Sequence, residues 1–527
     1  MTPIVVILIY LGLLLALGVV SSRFFRGTSN DFFVASRSIG PFLLLMSVFG
    51  TTMTGFALVG SSAKTYESGI GVYGLMASYS GLLHSACFFL IGIKLWAFGK
   101  KYGYVTQCQY FRARFQSNTI GYVLFPVLVV LIIPYLLVGL IAAGSAIKGL
   151  TSGVVKPDGT LLRPGMFAEY GLFESTNPVL NGAVPPWLTG IVIAGIVLVY
   201  VFLGGVRSTT WANTFQTIVF MVTGIIAFTL IAKALGGPAA ASQAVVERAP
   251  ESLAREGKIS KLQFFSYAFI PLSVGMFPHL FQHWLTARSA KSFRLVVIAH
   301  PIFIMLVWVP CVLIGVWALG VAKMDGTPPN AVLGKMVAVL VHQPVVTGVL
   351  FAGILAAIMS SLDSQFMCLS TMFTNDVVVH AKGEDHFTDK QLLWIGRIFV
   401  IGIVAMTYAI SLMKLPINVF DLGVWCFSGF GALFPIAFAA VYWKRATKAG
   451  AIAAVVATAA LWLGLISYDL FVFKTDHPEE EFLLMGMMPA AALFATCLVT
   501  LVLVSLATQT PDAKTIAKFF PKSTANR

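Results

Sequence analysis

Charged residues are scarce in this sequence: Asp, Glu, Lys and Arg make up 11% of its 527 residues, whereas 58% are hydrophobic. Soluble proteins carry about 25% charged residues. The chain also has only six cysteines, which are scattered and form no CxxC pair, so neither a disulfide framework nor a zinc site is indicated. This composition excludes a soluble enzyme, a secreted disulfide scaffold and a disordered protein.

The formal net charge is +14, which by itself would suit an acidic partner such as nucleic acid. The Lys and Arg residues nevertheless fall in short clusters between apolar runs, without a basic domain. We therefore expect no nucleic-acid partner. The N-terminal apolar run has no positive residue before it and no small-residue cleavage site after it, so we interpret it as a first membrane helix rather than a signal peptide.

Apolar runs long enough to cross a bilayer recur along nearly the whole chain. A membrane-spanning helix needs about 20 such residues. The thirteen candidate helices lie near residues 2–22, 40–64, 71–98, 119–148, 186–203, 207–234, 262–287, 292–321, 344–379, 390–412, 418–443, 447–473 and 483–508. The sequence thus predicts an all-α integral membrane protein in which residues 1–527 form a single polytopic domain in the lipid bilayer.

Basic residues predict how these helices are oriented. Clusters such as Lys100 and Lys101 fall in alternate loops and in the C-terminal tail, and an excess of Lys and Arg marks cytoplasmic loops. With thirteen helices, the N-terminus would lie outside a plasma membrane and the C-terminus in the cytoplasm. The two longest loops, about 149–185 and 235–261, would lie on the outer face, and ERAPESLAREGK in the second predicts a short amphipathic surface helix.

Two predicted helices carry residues that interrupt a helix at membrane depth. The second contains GTTMTG at 50–55, and the seventh contains Pro271, Gly275 and Pro278. Small residues alone could serve tight helix packing, and a lone proline kink is common. These two helices, however, begin consecutive five-helix sets, helices 2–6 and 7–11. Broken helices at corresponding positions of two halves indicate an inverted-repeat transporter with its site at the midplane.

The ninth predicted helix has the densest polar cluster. One helical stripe, with spacing i, i+3, i+4 and i+7, is formed by Ala357, Ser360, Ser361 and Ser364. Asp363 lies beside it, and an ionisable residue within a span is costly and indicates a functional site. Hydroxyl and carboxylate oxygens suit a hard cation such as sodium. Alternatively, the serines bond back to helix carbonyls and the aspartate pairs with a neighbour.

At these residues the chain resembles the sodium:solute symporter family, whose members carry sugars, amino acids, vitamins, organic acids and iodide. The resemblance covers most of the chain through the stretches GTTMTG, LGGVRSTTWANTFQ, GMFPHLFQHWLTARSAKSFR and LAAIMSSLDSQ. The last is similar to the family's A-x-M-S-[ST] sodium motif. The resemblance implies a five-plus-five inverted repeat of the leucine-transporter type in helices 2–11. Its parts would be repeat 1 (39–234), repeat 2 (262–443), peripheral segments (1–38 and 444–508) and a short cytoplasmic tail (509–527).

The resemblance also implies the family's common sodium site, and hence sodium as the coupling ion. Its ligands would be the backbone carbonyl oxygens of Gly50, Met53 and Ala357 and the hydroxyls of Ser360 and Ser361.

Two positions depart from the family pattern. Asn213 stands where many members have an aspartate, and Asp363 stands where the family often has a serine of a second cation site. We hypothesise that Asp363, Ser364 and Asn213 form a charge-swapped second cation or proton site. Because a buried carboxyl without a bound cation holds its proton more tightly, proton coupling stays open as an alternative.

Family geometry implies a substrate pocket beside the sodium site. It would be lined by Thr51, Thr52, Phe56, His84, Tyr135, Ile270, Val274 and Trp425. Members that carry proline have aromatic residues upstream of the proline in the seventh helix, where this chain has Ile270 and Val274, and this weakens a proline assignment. His279 and His283 are also unusual within a span; either could simply form hydrogen bonds inside the bundle.

These expectations favour symport of a small organic solute with sodium by alternating access, with no catalytic residues and no obligate protein partner. The sequence contains no GxxxxGK[ST], HExxH or GxSxG motif, so neither an ATP site nor those enzyme classes are indicated. A transporter-like solute sensor that works with a separate signalling partner, a proton-coupled symporter and a channel remain alternatives. The paired broken helices favour alternating access over a channel.

Overall fold

The computed structural model of the chain describes residues 1–23, 28–155, 160–254, 258–383, 386–413, 417–478 and 480–520. Its helices, in chain order, are α1 (Thr2–Ser22), α2 (Ser29–Val34), α3 (Pro41–Thr52), α4 (Phe56–Ser68), α5 (Gly71–Tyr102), α6 (Gln107–Phe115), α7 (Asn118–Thr151), α8 (Pro186–Ala234), α9 (Pro238–Arg248), α10 (Lys261–Gly275), α11 (Pro278–Thr286), α12 (Ala290–Leu319), α13 (Pro329–Leu340), α14 (Pro344–Lys382), α15 (Asp389–Ser411), α16 (Val419–Tyr442), α17 (Lys448–Asp476), α18 (Pro489–Ala507) and α19 (Ala513–Phe519). Between α7 and α8, β1 (Val154–Val155) pairs with β2 (Leu161–Arg163) in an antiparallel ribbon.

Within the described ranges, ten helices are long and apolar enough to cross a membrane, and the bent pairs α3–α4 and α10–α11 raise the number to twelve. The fifth and sixth predicted helices are the two parts of α8, a segment of 49 residues with a kink between them. The 49 residues would span about 74 Å as a straight helix, more than twice the roughly 30 Å apolar core of a bilayer, so the segment is long enough for two spans. Gly205 interrupts this run with a φ of +57°, which glycine adopts readily. The predicted all-α membrane architecture is confirmed.

Both predicted interruptions are present: α3 and α4 meet at 55°, and α10 and α11 meet at 46°. In the first break, Met53 has an extended backbone (φ −89°, ψ 97°), and the Thr54 hydroxyl accepts from the Phe56 N–H at 3.0 Å. In the second, Phe277 is extended and Pro278 starts α11, because proline is favoured at the first position of a helix. Each break leaves backbone groups outside regular helical hydrogen bonding.

The helix with the predicted polar stripe, α14, lies at the centre of the bundle. It contacts α1, α3, α7 and α8, and every residue in 350–372 is buried. The first helix, α1, which the resemblance implies to be peripheral, packs against both α8 and α14 and buries Tyr10 there. Because this part of α14 has no face left for lipid, its polar side chains need partners inside the protein.

Hydropathy did not locate the short helices α6, α13 and α19. At the predicted surface helix ERAPESLAREGK, α9 ends at Arg248 and a short 3-10 helix follows at Pro250–Leu253; residues 255–257 lie outside the described part of the chain. In the predicted tail, α19 buries Phe519 against Phe98 and Tyr110, with ring centroids 5.2 and 5.8 Å apart. Residues 521–527 also lie outside the described part.

Candidate functional site

The first polar cluster lies where α3 ends at the break. The Ser360 hydroxyl of α14 lies 2.7 Å from the carbonyl oxygen of Gly50 and 2.9 Å from that of Ala357. The absence of a side chain at Gly50 lets α3 pack closely on α8, because a Cβ there would collide with the Thr217 hydroxyl. Three oxygen atoms from two helices therefore converge at one point.

The other two predicted ligands belong to the same stretches of α3 and α14. The Ser361 hydroxyl is buried and donates to the Ile358 carbonyl at 2.9 Å. Met53 is fully buried, and the Ala57 N–H, which its carbonyl would accept in a continuous helix, donates to Thr54 instead. Carbonyl and hydroxyl oxygens are the ligands that a hard cation prefers, so this donor set fits Na⁺.

A second cluster surrounds Asp363, which is fully buried in α14. The Tyr200 hydroxyl donates to Oδ2 at 3.0 Å, and the Ser364 hydroxyl lies 3.0 Å from Oδ1. With its amide nitrogen facing the carboxylate, Asn213 donates to Oδ2 and Oδ1 at 2.9 and 3.0 Å. Since none of these partners is a cation, the carboxylate can be neutralised by a bound cation or proton.

A chain of hydrogen-bonding groups runs from the Asp363 cluster back to α3. The Ser364 hydroxyl lies 3.0 Å from His283 Nε2, and His283 Nδ1 lies 2.9 Å from the Ser47 hydroxyl of α3. His283 itself is on α11, beyond the second break. The two candidate ion sites are thus connected through the same pair of helices, α3 and α14.

Three predicted substrate residues meet in an aromatic cluster that contains residues from both breaks. The Tyr135 ring of α7 lies 5.5 Å from Phe277 and 5.1 Å from Phe427 between centroids, and Phe56 lies 4.8 Å from Phe427. The Tyr135 hydroxyl donates to the Thr51 carbonyl at 3.4 Å. We call Thr51, Phe56, Tyr135, Phe277 and Phe427 the ring cluster.

Other predicted substrate residues have partners elsewhere. His84 and Thr52 both approach His300 of α12: the two imidazole centroids are 5.3 Å apart, and the Thr52 hydroxyl lies 3.1 Å from His300 Nε2. Trp425 donates its indole N–H to the Asp469 carboxylate at 2.7 Å. These three side chains therefore contact residues outside the ring cluster.

Ile270 and Val274 are buried on α10, whose last turn contacts α5 and α16.

The sequence reasoning missed His300 and Tyr200. An ionisable residue within a span is itself a signal that could have found His300. Tyr200 lies in an apolar run without any distinguishing spacing.

A third cluster, the charge cluster, gathers buried ion pairs at the far end of α4. Lys64 Nζ lies 2.6 Å from Glu481 Oε2 and 3.5 Å from Asp421 Oδ1, and Lys474 Nζ lies 3.7 Å from Asp421 Oδ2. Glu481 belongs to the loop between α17 and α18 and also accepts from Gln263 of α10 at 3.0 Å. The charge cluster therefore joins one half of each broken helix to α16, to α17 and to the loop that follows α17.

Comparisons with known structures agree with this architecture. A substrate-bound, outward-open sodium-coupled sialic acid symporter superposes with a TM-score of 0.70 at 15% identity, covering 97% of this chain and 99% of that one. A nucleobase-cation-symport-1 family transporter in a closed conformation superposes with a TM-score of 0.55 at 14% identity, covering 93% and 96%. At such identities the likeness shows the fold alone, which this chain shares with both transporters.

Sequence comparisons extend the likeness to the family level. The sodium/proline symporter of Escherichia coli (strain K12) is 26% identical over 505 residues, covering 89% of this chain and 90% of that protein. The sodium/proline symporter of Staphylococcus aureus (strain JH9) is 24% identical over 527 residues, covering 97% and 93%. A sequence model of the sodium:solute symporter family matches residues 32–154 and 187–458, which include both broken helices and all of α14. The chain belongs to the sodium:solute symporter family.

Proposed function

We propose that this protein moves a small organic solute together with sodium by alternating access around its two helix breaks. Membership of the sodium:solute symporter family makes it a multi-pass membrane protein and a sodium-coupled secondary transporter. The observation that carries the proposal is the contact between the Ser360 hydroxyl and the Gly50 carbonyl, which brings expected ligands from α3 and α14 within 2.7 Å.

Sodium would bind between α3 and α14 through the carbonyl oxygens of Gly50, Met53 and Ala357 and the hydroxyls of Ser360 and Ser361. A cation at this position also faces the C-terminal, partially negative end of α3. Its binding would stabilise the arrangement in which the two helices are in contact. Coupling to the solute requires a reciprocal free energy of about 1–3 kcal/mol, and the membrane potential adds about 2.3 kcal/mol per charge at 100 mV.

The Asp363 cluster is proposed as a second cation or proton site. Support comes from the burial of the carboxylate and from its hydrogen bonds, which are all to neutral groups of Tyr200, Ser364 and Asn213. Because Asn213 and Asp363 lie within hydrogen-bond distance, the negative charge expected on the sixth predicted helix in many family members lies nearby on α14 in this chain.

The ring cluster is the proposed place of solute binding, since it contains residues from both breaks and three of its five side chains are phenylalanine rings. The relatives named sodium/proline symporters make proline the first solute to test. Ile270 and Val274 argue against proline, because the family resemblance implies aromatic residues there in proline carriers.

We further propose that the N-terminus lies outside the plasma membrane and the C-terminus in the cytoplasm. The basic residues of the alternate loops support this orientation. The charge cluster at the far end of α4 would then lie towards the outside, and the Asp363–His283–Ser47 chain would lie towards the cytoplasm.

Uptake by proteoliposomes tests the proposed function. The purified protein is reconstituted and supplied with labelled amino acids, short organic acids, sugars and vitamins under an inward sodium gradient, with choline chloride as the sodium-free control. We expect concentrative uptake of one solute class with sodium and loss of that uptake in choline. Uptake that ignores sodium would contradict symport, and sodium-dependent binding without any uptake would favour a sensor.

A further inference from the structure

A small cavity lies between α16, α17 and the start of α18, and its polar wall is mainly acidic. This wall consists of Asp421 and Ser428 of α16, Asp469 of α17 and Glu481 of the loop before α18. The cavity has room for about one particle of the size of a water molecule. Its occupant is therefore a single water molecule or a single small ion.

Three oxygen atoms in this wall have no hydrogen-bond partner among the described residues: Asp421 Oδ1, Ser428 Oγ and Asp469 Oδ1. The Ser428 and Asp469 side chains are buried, so bulk water does not reach them. The Trp425 indole donates to the other carboxylate oxygen of Asp469 at 2.7 Å. Because Asp421, Trp425 and Ser428 are spaced i, i+4 and i+7, they lie on the one face of α16 that meets Asp469.

The charges around the cavity do not cancel. The two lysines of the charge cluster pair with Asp421 and Glu481 at 2.6–3.7 Å between nitrogen and oxygen atoms. Asp469 takes part in none of these pairs, so two ammonium groups serve three carboxylates. The carboxylate of Glu67 on α4 lies near the same groups and adds further negative charge. A buried charge without a counter-charge is costly.

The nature of the occupant follows from this charge balance. A water molecule could donate hydrogen bonds to two of the three oxygen atoms, but the excess negative charge would remain. A monovalent cation would cancel one such charge and contact all three oxygen atoms at once. Carboxylate and hydroxyl oxygens are also the ligands that a hard cation prefers.

We propose that this cavity is a further cation site, in which Asp421, Ser428 and Asp469 bind one monovalent metal ion such as Na⁺. The site shares no ligand with the two candidate ion sites on α14, so it goes beyond the proposed coupling of solute and sodium. Its ion would hold α16 against α17 and would stay in place during transport. With the orientation proposed above, the ion would enter from the outside.

Binding of radiolabelled sodium to the purified protein tests this site. The background protein carries Ser360→Ala and Asp363→Asn, which alter both candidate ion sites on α14, and choline chloride keeps the ionic strength constant. We expect the background protein still to bind sodium. Adding Asp469→Asn should lower this sodium affinity at least about tenfold, because an ionic ligand is lost. Asparagine keeps an acceptor for the Trp425 indole, so the packing is retained.

A second variant and two controls accompany this measurement. Ser428→Ala removes a neutral ligand and should lower the sodium affinity in the same background, but less than Asp469→Asn does. Asp476→Asn changes an exposed carboxylate of the same helix, α17. Thr458→Val removes a buried hydroxyl of α17 that has no partner among the described residues and lies outside the cavity wall. Neither control should change the sodium affinity.

Thermal unfolding in detergent identifies variants that fail to fold, and if Asp469→Asn does so, Ser428→Ala carries the test. A background protein that binds no sodium would overturn the inference, because a water molecule or a proton then fills the cavity. Unchanged sodium affinity in the folded cavity variants would overturn it as well. The result is independent of symport: Asp469-dependent sodium binding without any uptake by the unaltered protein would support this site and contradict the proposed function.

Discussion

The Ser360 hydroxyl lies 2.7 Å from the Gly50 carbonyl oxygen, although the two residues are 310 positions apart in the chain. This contact holds the end of α3 against α14 at the first helix break. A sodium ion entering there would exchange one hydrogen bond for ion–oxygen contacts to the same atoms. Because the oxygen atoms of Gly50, Ala357 and Ser360 already converge, the proposed sodium site would require little movement of the two helices.

Replacing Ser360 by Ala removes one proposed sodium ligand. We expect the sodium concentration for half-maximal uptake to rise at least about tenfold, because hydrogen-bond-scale contacts to a charged group contribute about 1.5–3 kcal/mol. Ser370→Ala is the matched control: Ser370 is buried on the same helix, and its hydroxyl has no partner among the described residues. Sodium titration of proteoliposome uptake measures both variants, and the same sodium dependence in both would contradict the assignment.

Asp363→Asn should lower sodium-driven uptake at least about tenfold, because the charge of the proposed second ion site is lost. Moving the charge back with Asn213→Asp in the Asp363→Asn background should restore part of the activity, since the two side chains lie 2.9–3.0 Å apart. Tyr200→Phe removes one hydrogen bond and keeps the charge, so its effect should be smaller. An Asp363→Asn protein with unchanged rate and sodium dependence would refute the second site.

A buried ion pair fastens α6 to α14. Arg112 donates to the Asp376 carboxylate at 2.9 Å and to its carbonyl at 2.8 Å, with side chains 8% and 0% exposed. Arg112→Met should destabilise the protein by about 3–5 kcal/mol, because it leaves a buried carboxylate unpaired. Breaking the Arg248–Asp325 pair, whose side chains are 36% and 62% exposed, should cost at most about 1 kcal/mol. Thermal unfolding in detergent distinguishes the two, and equal shifts would contradict the prediction.

The charge cluster should control access to the proposed solute pocket from the far end of α4, which we propose faces the outside. Glu481→Gln removes the closest partner of Lys64, so we expect the outer end to open more often. Cys426 of α16 is buried, and in a chain where it is the one remaining cysteine, a membrane-impermeant maleimide added outside should label it several-fold faster in the variant. Asp325→Asn serves as the control. Unchanged labelling would show that the charge cluster does not limit access.

Hydropathy located the membrane helices closely because the bilayer sets the length of apolar chain that a helix needs. The predicted stretches 119–148 and 390–412 correspond to Asn118–Thr151 and Asp389–Ser411. Short helices escaped this reasoning, since tertiary contacts stabilise them: α19 depends on Phe519 packing against rings that lie more than 400 positions earlier. No local pattern can reveal such a contact.

The clusters around Ser360 and Asp363 show the same difference between local patterns and contacts from distant parts of the chain. The spacing of Ser360, Ser361 and Ser364 marked one face of α14 from the sequence alone, because helical periodicity is local. The sequence does not place Tyr200 and His283 beside that face, because they belong to other helices. The substrate pocket was harder still: nothing near Trp425 in the sequence indicates that its indole bonds to Asp469, 44 positions later.

The connection from Ser47 through His283 to Ser364 joins α3 to α14, as the Ser360–Gly50 contact also does. A tilt of α3 away from α14 would stretch this connection and the Ser360–Gly50 bond together. The two proposed ion sites would therefore be emptied in the same movement rather than one at a time. Such a linkage would disfavour cycles that carry one ion without the other, and so would keep the charge moved in each cycle constant.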